Sequence, residues 1–244
     1  MDPKDQISRD EGGTAVDATM YKSIVGGLRY LVNTRPDIAY AVGVVSRYME
    51  RPTTVHLNAV KRILRYVKGT LQFGLVYTKN NGNNIITGYS DSDMGGSLDD
   101  RKSTACMAYY LNDSLILWVS QKQRCVALSS CEAEFMAATA AACQGIWLKN
   151  VLSRITTEYS GPVILHIDNK SAINLAKNLV FNGRSKYIDI CYHFIRECVE
   201  RGDIIVKHVS SDQQRSDCLT KVLMIAKFER MCSLLGIKEL NRQI

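Results

Sequence analysis

Residues 55–70 read VHLNAVKRILRYVKGT, and the apolar positions Val60, Ile63, Leu64 and Val67 recur at the i, i+3, i+4, i+7 spacing of one helix face. Lys61, Arg62, Arg65 and Lys68 take the remaining face, a basic surface that suits either solvent or phosphate. Helical patterning extends back to Tyr21, with a break at Pro36. The residues before Tyr21 are polar and glycine-bearing, and are expected to form a flexible lead-in.

After Gly69 the period changes from helical to alternating. Residues 73–77, 85–90, 105–111 and 115–120 are rich in strand formers, and Asn112-Asp113 supplies a turn between the last two, which predicts an antiparallel meander. An alanine-rich stretch predicts a long helix over 132–155, and VILHI alternates as a strand over 163–167. A short helix over 171–178, a longer one over 190–201, a strand over 204–209 and a final helical stretch complete the order. This alternation predicts an α/β fold with a mixed sheet.

Composition narrows the class. The chain has 244 residues, 46% of them hydrophobic, enough for a core in one large domain or two smaller ones. The excess of 31 Lys+Arg over 24 Asp+Glu gives a net charge of +7 and favours a polyanionic partner such as nucleic acid. Eight cysteines form no C-x-x-C pair, which argues against a zinc cluster or disulfide framework and for a reducing compartment. No apolar run approaches the ~18–20 residues of a membrane span, and the N-terminal MDPKD is no secretory signal. The expectation is an intracellular protein of the cytoplasm or nucleus, not secreted and without a membrane partner.

Candidate chemistry lies at the ends of elements. The stretch GYSDSD carries a strand into Asp91 and Asp93, which share a face and repel each other if the strand stays extended. The alternative is that the strand has ended and both acids lie in solvated loop. Asp168 ends the strand over 163–167, and Asp217 follows the strand over 204–209 at the expected start of a helix. In SSCEAEF, Ser129-x-x-Glu132 matches a capping box in which Glu132 folds back onto the Ser129 backbone N–H. Helical residues two apart lie about 200° apart around the axis, which leaves Glu134 free for a site. Asp91, Glu134, Asp168 and Asp217 are therefore the candidate ligands for Mg²⁺, which is held by carboxylates, water and substrate phosphates. Two such ions ~3.5–4 Å apart can activate water and stabilise the leaving oxygen of a phosphodiester.

The motifs GYSDSD, DDRKST, SQKQ, LSSCEAEF, IWL, HIDNKSAINLA, RSKYIDICYHFIRE and SDCLTK, in this order, resemble the ribonuclease H domain of copia-type LTR retrotransposon Pol polyproteins. Upstream, YKSIVGGLRYLVNTRPDIAYAVGVVSRYME and RYVKGTLQFGLVY resemble the segment that joins reverse transcriptase to that domain. The resemblance implies a ribonuclease H-like fold, a mixed five-stranded sheet flanked by helices, preceded by a small helical connection segment. It divides the chain into a lead-in over 1–20, a thumb- or connection-like segment over 21–80, a ribonuclease H-like domain over 84–223 and a helical tail over 224–244. It implies endonucleolytic hydrolysis of the RNA strand of RNA–DNA hybrids, with two Mg²⁺ ions, or Mn²⁺ as substitute, on Asp91, Glu134, Asp168 and Asp217. The polymerase portion of the polyprotein is the implied protein partner. Glu-Phe-Met-Ala-Ala is similar to the Glu-Leu-x-Ala pattern around the family's catalytic glutamate, so two routes select Glu134. The polymerase's own aspartate pair is absent from the sequence, and DNA synthesis is not expected.

Beside the acids, Arg101, Lys102, Ser103, Thr104, Lys122, Arg184 and Lys186 suit sugar–phosphate recognition of an A-like duplex, and Asn169 is a candidate donor to a backbone or 2′-hydroxyl oxygen. Asp93 is expected behind the ligands or in solvent, and Trp118 and Trp147 are expected as core anchors. The chain departs from the family pattern at Met94, Cys106, Asn182, Tyr187 and Val222, and none of these removes a carboxylate. The departures at Met94, Cys106 and Tyr187 motivate an alternative, an inactive relic that binds nucleic acid without cutting it.

Overall fold

The computed structural model describes residues 7–9, 12–79, 84–156, 161–177 and 186–240, with residues 186–192 as backbone only. Helix α1 spans Ala18–Leu31, its first turn capped by Asp17, which accepts the Thr19 N–H at 2.8 Å. The helix therefore begins three residues before the expected Tyr21, because a local cap sets the start, and part of the expected flexible lead-in is held as well: Ala15 bridges to Thr53 and the Ile7 carbonyl accepts from the Tyr48 hydroxyl at 2.7 Å. A short 3₁₀ turn at Pro36–Ile38 leads into α2, Ala39–Val45, and α3 covers Thr54–Gly69. At the start of α3 the capping box uses a histidine: His56 Nδ1 accepts the Thr53 N–H at 3.0 Å, and its Nε2 lies 2.9 Å from the Ser8 carbonyl. An accepting Nδ1 places the ring proton on Nε2, which donates to Ser8.

Strand β1 is Phe73–Leu75, β2 Ile86–Ser92, β3 Thr104–Leu111 and β4 Ser114–Lys122. Helix α4 runs over Ser130–Ile155, followed by β5 Val163–Ile167, α5 Lys170–Lys177, α6 Lys186–Glu200 and β6 Ile204–His208. A 3₁₀ turn at Asp217–Leu219, α7 at Ile225–Leu234 and β7 at Ile237–Glu239 complete the order. The main sheet has the order β4-β3-β2-β5-β6, antiparallel across β4, β3 and β2 and parallel across β2, β5 and β6. This is the α/β, ribonuclease H-like arrangement that the sequence implied. The expected meander holds for β2, β3 and β4, but β1 lies outside it and pairs antiparallel with β7, Phe73 opposite Glu239.

Each face of the sheet buries its own core. On one side Tyr109, Leu165, Ile167 and Val206 meet Phe135, Ala138 and Ala141 of α4 together with α5 and α6. The alanines let α4 approach closely: the Tyr109 hydroxyl donates to the Ala141 carbonyl at 2.5 Å. Gly88 on the neighbouring strand is required here, because a Cβ at that position would run into the Tyr109 ring. On the other side Tyr89, Cys106, Ala108, Tyr110 and Leu115 meet Ala39, Leu219, Met231, Leu235 and Ile237. A third cluster, including Tyr21, Val25, Val42, Val60 and Ile63, holds α1, α2 and α3 together.

Two expectations about side chains are corrected. Leu64 does not share the buried stripe with Val60 and Ile63 but is 40% exposed, because the packed face of α3 is narrower than its apolar pattern. Trp147 is 53% exposed on α4 rather than anchored in a core, whereas Trp118 is partly buried and donates its indole N–H to the Val32 carbonyl at 3.0 Å. Among the described residues no helix is long and apolar enough to cross a membrane.

Candidate active site

The register that opposes Ser90 to Ile167 brings the next residues, Asp91 and Asp168, side by side where two parallel strands end. Strand β2 does not stop short of the acids, since it runs to Ser92 with Asp91 buried opposite Cys106. Asp93 turns away to a structural task. Its Oδ1 accepts the Thr104 N–H at 2.7 Å and the Gly96 N–H at 3.4 Å, fixing the loop between β2 and β3.

Glu134 comes from the first turns of α4, and its Oε1 accepts the Ser92 N–H at 3.2 Å. Glu132 serves the cap: Ser129 Oγ accepts the Glu132 N–H at 3.1 Å, and Glu132 Oε2 accepts a backbone N–H at 2.9 Å. That N–H belongs to Leu128 and not to Ser129 as expected, a reach one residue longer.

Carboxylate oxygens of Asp91, Glu134 and Asp168 lie within 4.8 Å of one another. Glu134 Oε2 is buried without a hydrogen-bond partner. Burial, followed by the charges of Asp91 and Asp168, pushes the Glu134 carboxyl up to about 10. Asp168 is also raised, by burial and then by Asp91, with Lys221 acting against them. A set of hard oxygen donors with an orphaned buried oxygen and crowded negative charge fits a hard divalent cation.

Asp217 is placed differently. It is fully buried in a 3₁₀ turn rather than at the start of an α-helix, and α7 begins only at Ile225. Its Oδ1 lies 2.9 Å from Lys221 Nζ and its Oδ2 lies 2.5 Å from Lys227 Nζ of α7. Lys221 Nζ is also 3.5 Å from Asp91 Oδ2, and the Thr220 hydroxyl donates to that same oxygen. Burial opposes the Lys221 charge, but Asp91, Asp217 and Asp168 outweigh it and hold the ammonium more firmly than usual.

Of the residues expected to touch nucleic acid, Arg101 is exposed and Lys102 partly so, with Lys102 Nζ 3.9 Å from Asp100. Lys122 Nζ pairs with Asp100 at 2.8 Å. Ser103 and Thr104 are buried: Ser103 Oγ accepts the Gly95 N–H at 3.0 Å, and Thr104 Oγ1 accepts from Arg47 Nη2 at 3.0 Å. Asn169 Oδ1 accepts the N–H groups of Ser171 and Ala172, at 2.9 and 3.1 Å, and so caps α5. Arg184, Asn182 and the side chains of Lys186 and Tyr187 lie outside the described residues. Sequence reasoning did not single out Thr220, Lys221 or Lys227. The first two stand inside the SDCLTK motif, but Lys227 reaches the site from a later helix and carries no local signature.

No protein-family model matches the chain. It is 43% identical over 218 residues, 89% of its length, to the retrovirus-related Pol polyprotein from transposon TNT 1-94 of Nicotiana tabacum. It is 40% identical over 238 residues, 97% of its length, to that from transposon RE1 of Arabidopsis thaliana. In each case it spans only 16% of the relative. Among solved structures, a foamy viral protease-reverse transcriptase dRH in complex with double-stranded DNA superposes over 83% of this chain and 33% of its own, at TM-score 0.52 and 10% identity. LC11-RNase H1 in complex with an RNA/DNA hybrid superposes over 55% of this chain and 93% of its own, at TM-score 0.42 and 13% identity.

Proposed function

The chain belongs to the copia-type retrotransposon Pol polyproteins, and from that premise we propose that it is their ribonuclease H segment, a metal-dependent endonuclease that hydrolyses the RNA strand of RNA–DNA hybrids. One observation carries the reading: Glu134 Oε2 is buried and unpartnered between Asp91 and Asp168 at the end of the sheet. These three carboxylates would hold Mg²⁺, or Mn²⁺ in its place. Such a cation supplies Lewis acidity toward the scissile phosphate and a lowered pKa for the attacking water.

The chain's own groups do the rest. Ser92 N–H aims Glu134, the Thr220 hydroxyl fixes one oxygen of Asp91, and partly exposed Asp168 forms the open side through which the phosphodiester enters. The Lys221 ammonium faces the same space and opposes the negative charge of the incoming backbone. Arg101 and Lys102, on the loop beside β3, are the described candidates for gripping the duplex backbone. The partners in this reading are the hybrid and the polymerase portion of the polyprotein, and the place of action is the cytoplasm or nucleus. At the departure Cys106, opposite Asp91, the thiol donates to the Ser216 carbonyl at 3.2 Å.

The test is cleavage of a labelled RNA–DNA hybrid in Mg²⁺ or EDTA by the wild-type chain, Asp91→Asn and Glu134→Gln. The expected result is cutting of the RNA strand in Mg²⁺ alone and its loss in both variants. A folded wild-type protein that binds the hybrid and never cuts it would establish the relic instead.

A further inference from the structure

At the end of β2 four carboxylates meet two lysines. Asp217 Oδ2 accepts a hydrogen bond from Lys227 at 2.5 Å, whereas its Oδ1 is buried without a hydrogen bond and is met only by the charge of Lys221, 2.9 Å away. A fully buried carboxylate needs such partners, and here two elements supply them: the turn that carries Asp217 itself and the later helix α7. Lys221 does more than balance Asp217. Its Nζ lies 3.5 Å from Asp91 Oδ2, so the ammonium stands between Asp91 and Asp217.

That position is the one a second cation needs if Asp91 bridges two ions and Asp217 holds one of them. Asp91, Glu134, Asp168 and Asp217 together carry four negative charges at full ionisation, and the two lysines match half of them. A single divalent cation at Asp91, Glu134 and Asp168 matches the remainder. A second one beside Lys221 would meet a positive charge already fixed in place.

We propose that Lys221 is a tethered cation standing in the second metal position, so that the protein free of nucleic acid takes one divalent ion, and Asp217 acts as a positioning residue for Lys221 rather than as a metal ligand. This rests on the metal-dependent reading above and sharpens it. The side chain of Lys221 is 42% exposed, so its ammonium faces the approach of a phosphate while it stays between Asp91 and Asp217.

The experiment is calorimetric titration of the full chain with Mn²⁺ in the absence of nucleic acid, with electron paramagnetic resonance to detect spin-coupled Mn²⁺ pairs. Wild type and Lys221→Arg are expected to bind one ion and show no coupled pair, whereas Lys221→Met binds two and shows one. Asp217→Asn keeps a stoichiometry of one. Thermal melts establish that each variant is folded, and if Lys221→Met does not fold, the wild-type and Asp217→Asn stoichiometries decide. Two ions in the wild type, one ion in folded Lys221→Met, or none in Asp217→Asn would overturn the proposal while leaving the metal centre standing. A wild-type protein that binds no Mn²⁺ would overturn both.

Discussion

Ser92 donates its backbone N–H to Glu134 Oε1 at 3.2 Å, so the strand that carries Asp91 also aims the carboxylate facing it. One piece of backbone thus carries one acid and orients the other.

The two glutamates of α4 should therefore separate cleanly on substitution. Glu134→Gln is expected to lower single-turnover cleavage of a hybrid by at least about 10²–10³-fold, the range for losing one group that stabilises transition-state charge. Glu132→Gln weakens only the cap, costing about 0.5–1 kcal/mol in urea unfolding with cleavage retained. The reverse pattern would exchange their roles.

Stability of the metal-free protein should fall as pH rises. Glu134 is lifted from 4.5 to about 10, by burial and then by Asp91 and Asp168, so its folded pKa lies above its unfolded one. The contribution is fully present below the unfolded value and is lost progressively up to the folded one, as an uncompensated charge is forced into the site. In EDTA the wild type is expected to lose more Tm than Glu134→Gln between about pH 6 and pH 9, and saturating Mg²⁺ is expected to close the gap. Equal losses in the two proteins would show that Glu134 does not govern this window.

The helical segment has its own buried ion pair. Arg35 Nη2 lies 2.7 Å from Asp37 Oδ2, and the same oxygen accepts the Tyr66 hydroxyl at 2.7 Å. Asp37→Ala strands a buried guanidinium and is expected to cost about 3–5 kcal/mol. Tyr66→Phe removes one hydrogen bond and is expected to cost about 1–2 kcal/mol, both read from urea midpoints.

Gly88→Ala places a methyl against the Tyr109 ring and is expected to destabilise by about 1–3 kcal/mol. Combining it with Tyr109→Leu should recover part of that loss. Strict additivity in the double-mutant cycle would mean that the two positions do not share the space.

What could be read from the sequence was what is decided locally. Strand and helix periods located β2 to β6 and α3 to α6, and the cap around Ser129 separated Glu132 from Glu134 because both the cap and the helical period act within two turns. Asp91 beside Asp168 needed only the knowledge that two strands run parallel. The pairing of β1 with β7 was not legible, because strand partners are chosen by tertiary contact between distant segments and β1 alone looks like the first strand of the meander. Leu64 and Trp147 misled for a related reason: an apolar residue on a helix shows which face can be buried and not how much of it is covered. Lys227 was missed because a salt bridge across ten residues and two elements leaves no periodic trace.

Strands β1 and β7 close the chain like a buckle. Phe73, Gly74 and Leu75 hold Glu239, Lys238 and Ile237, and α7, immediately before that clasp, sends Lys227 to Asp217. A fragment trimmed to residues 84–223 would keep all four acids and yet leave behind both halves of the buckle and one of the two cations that flank buried Asp217. For anyone preparing the protein, the smallest faithful piece is thus set by the reach of a lysine and the grip of two three-residue strands, and it lies well outside the stretch that carries the acids.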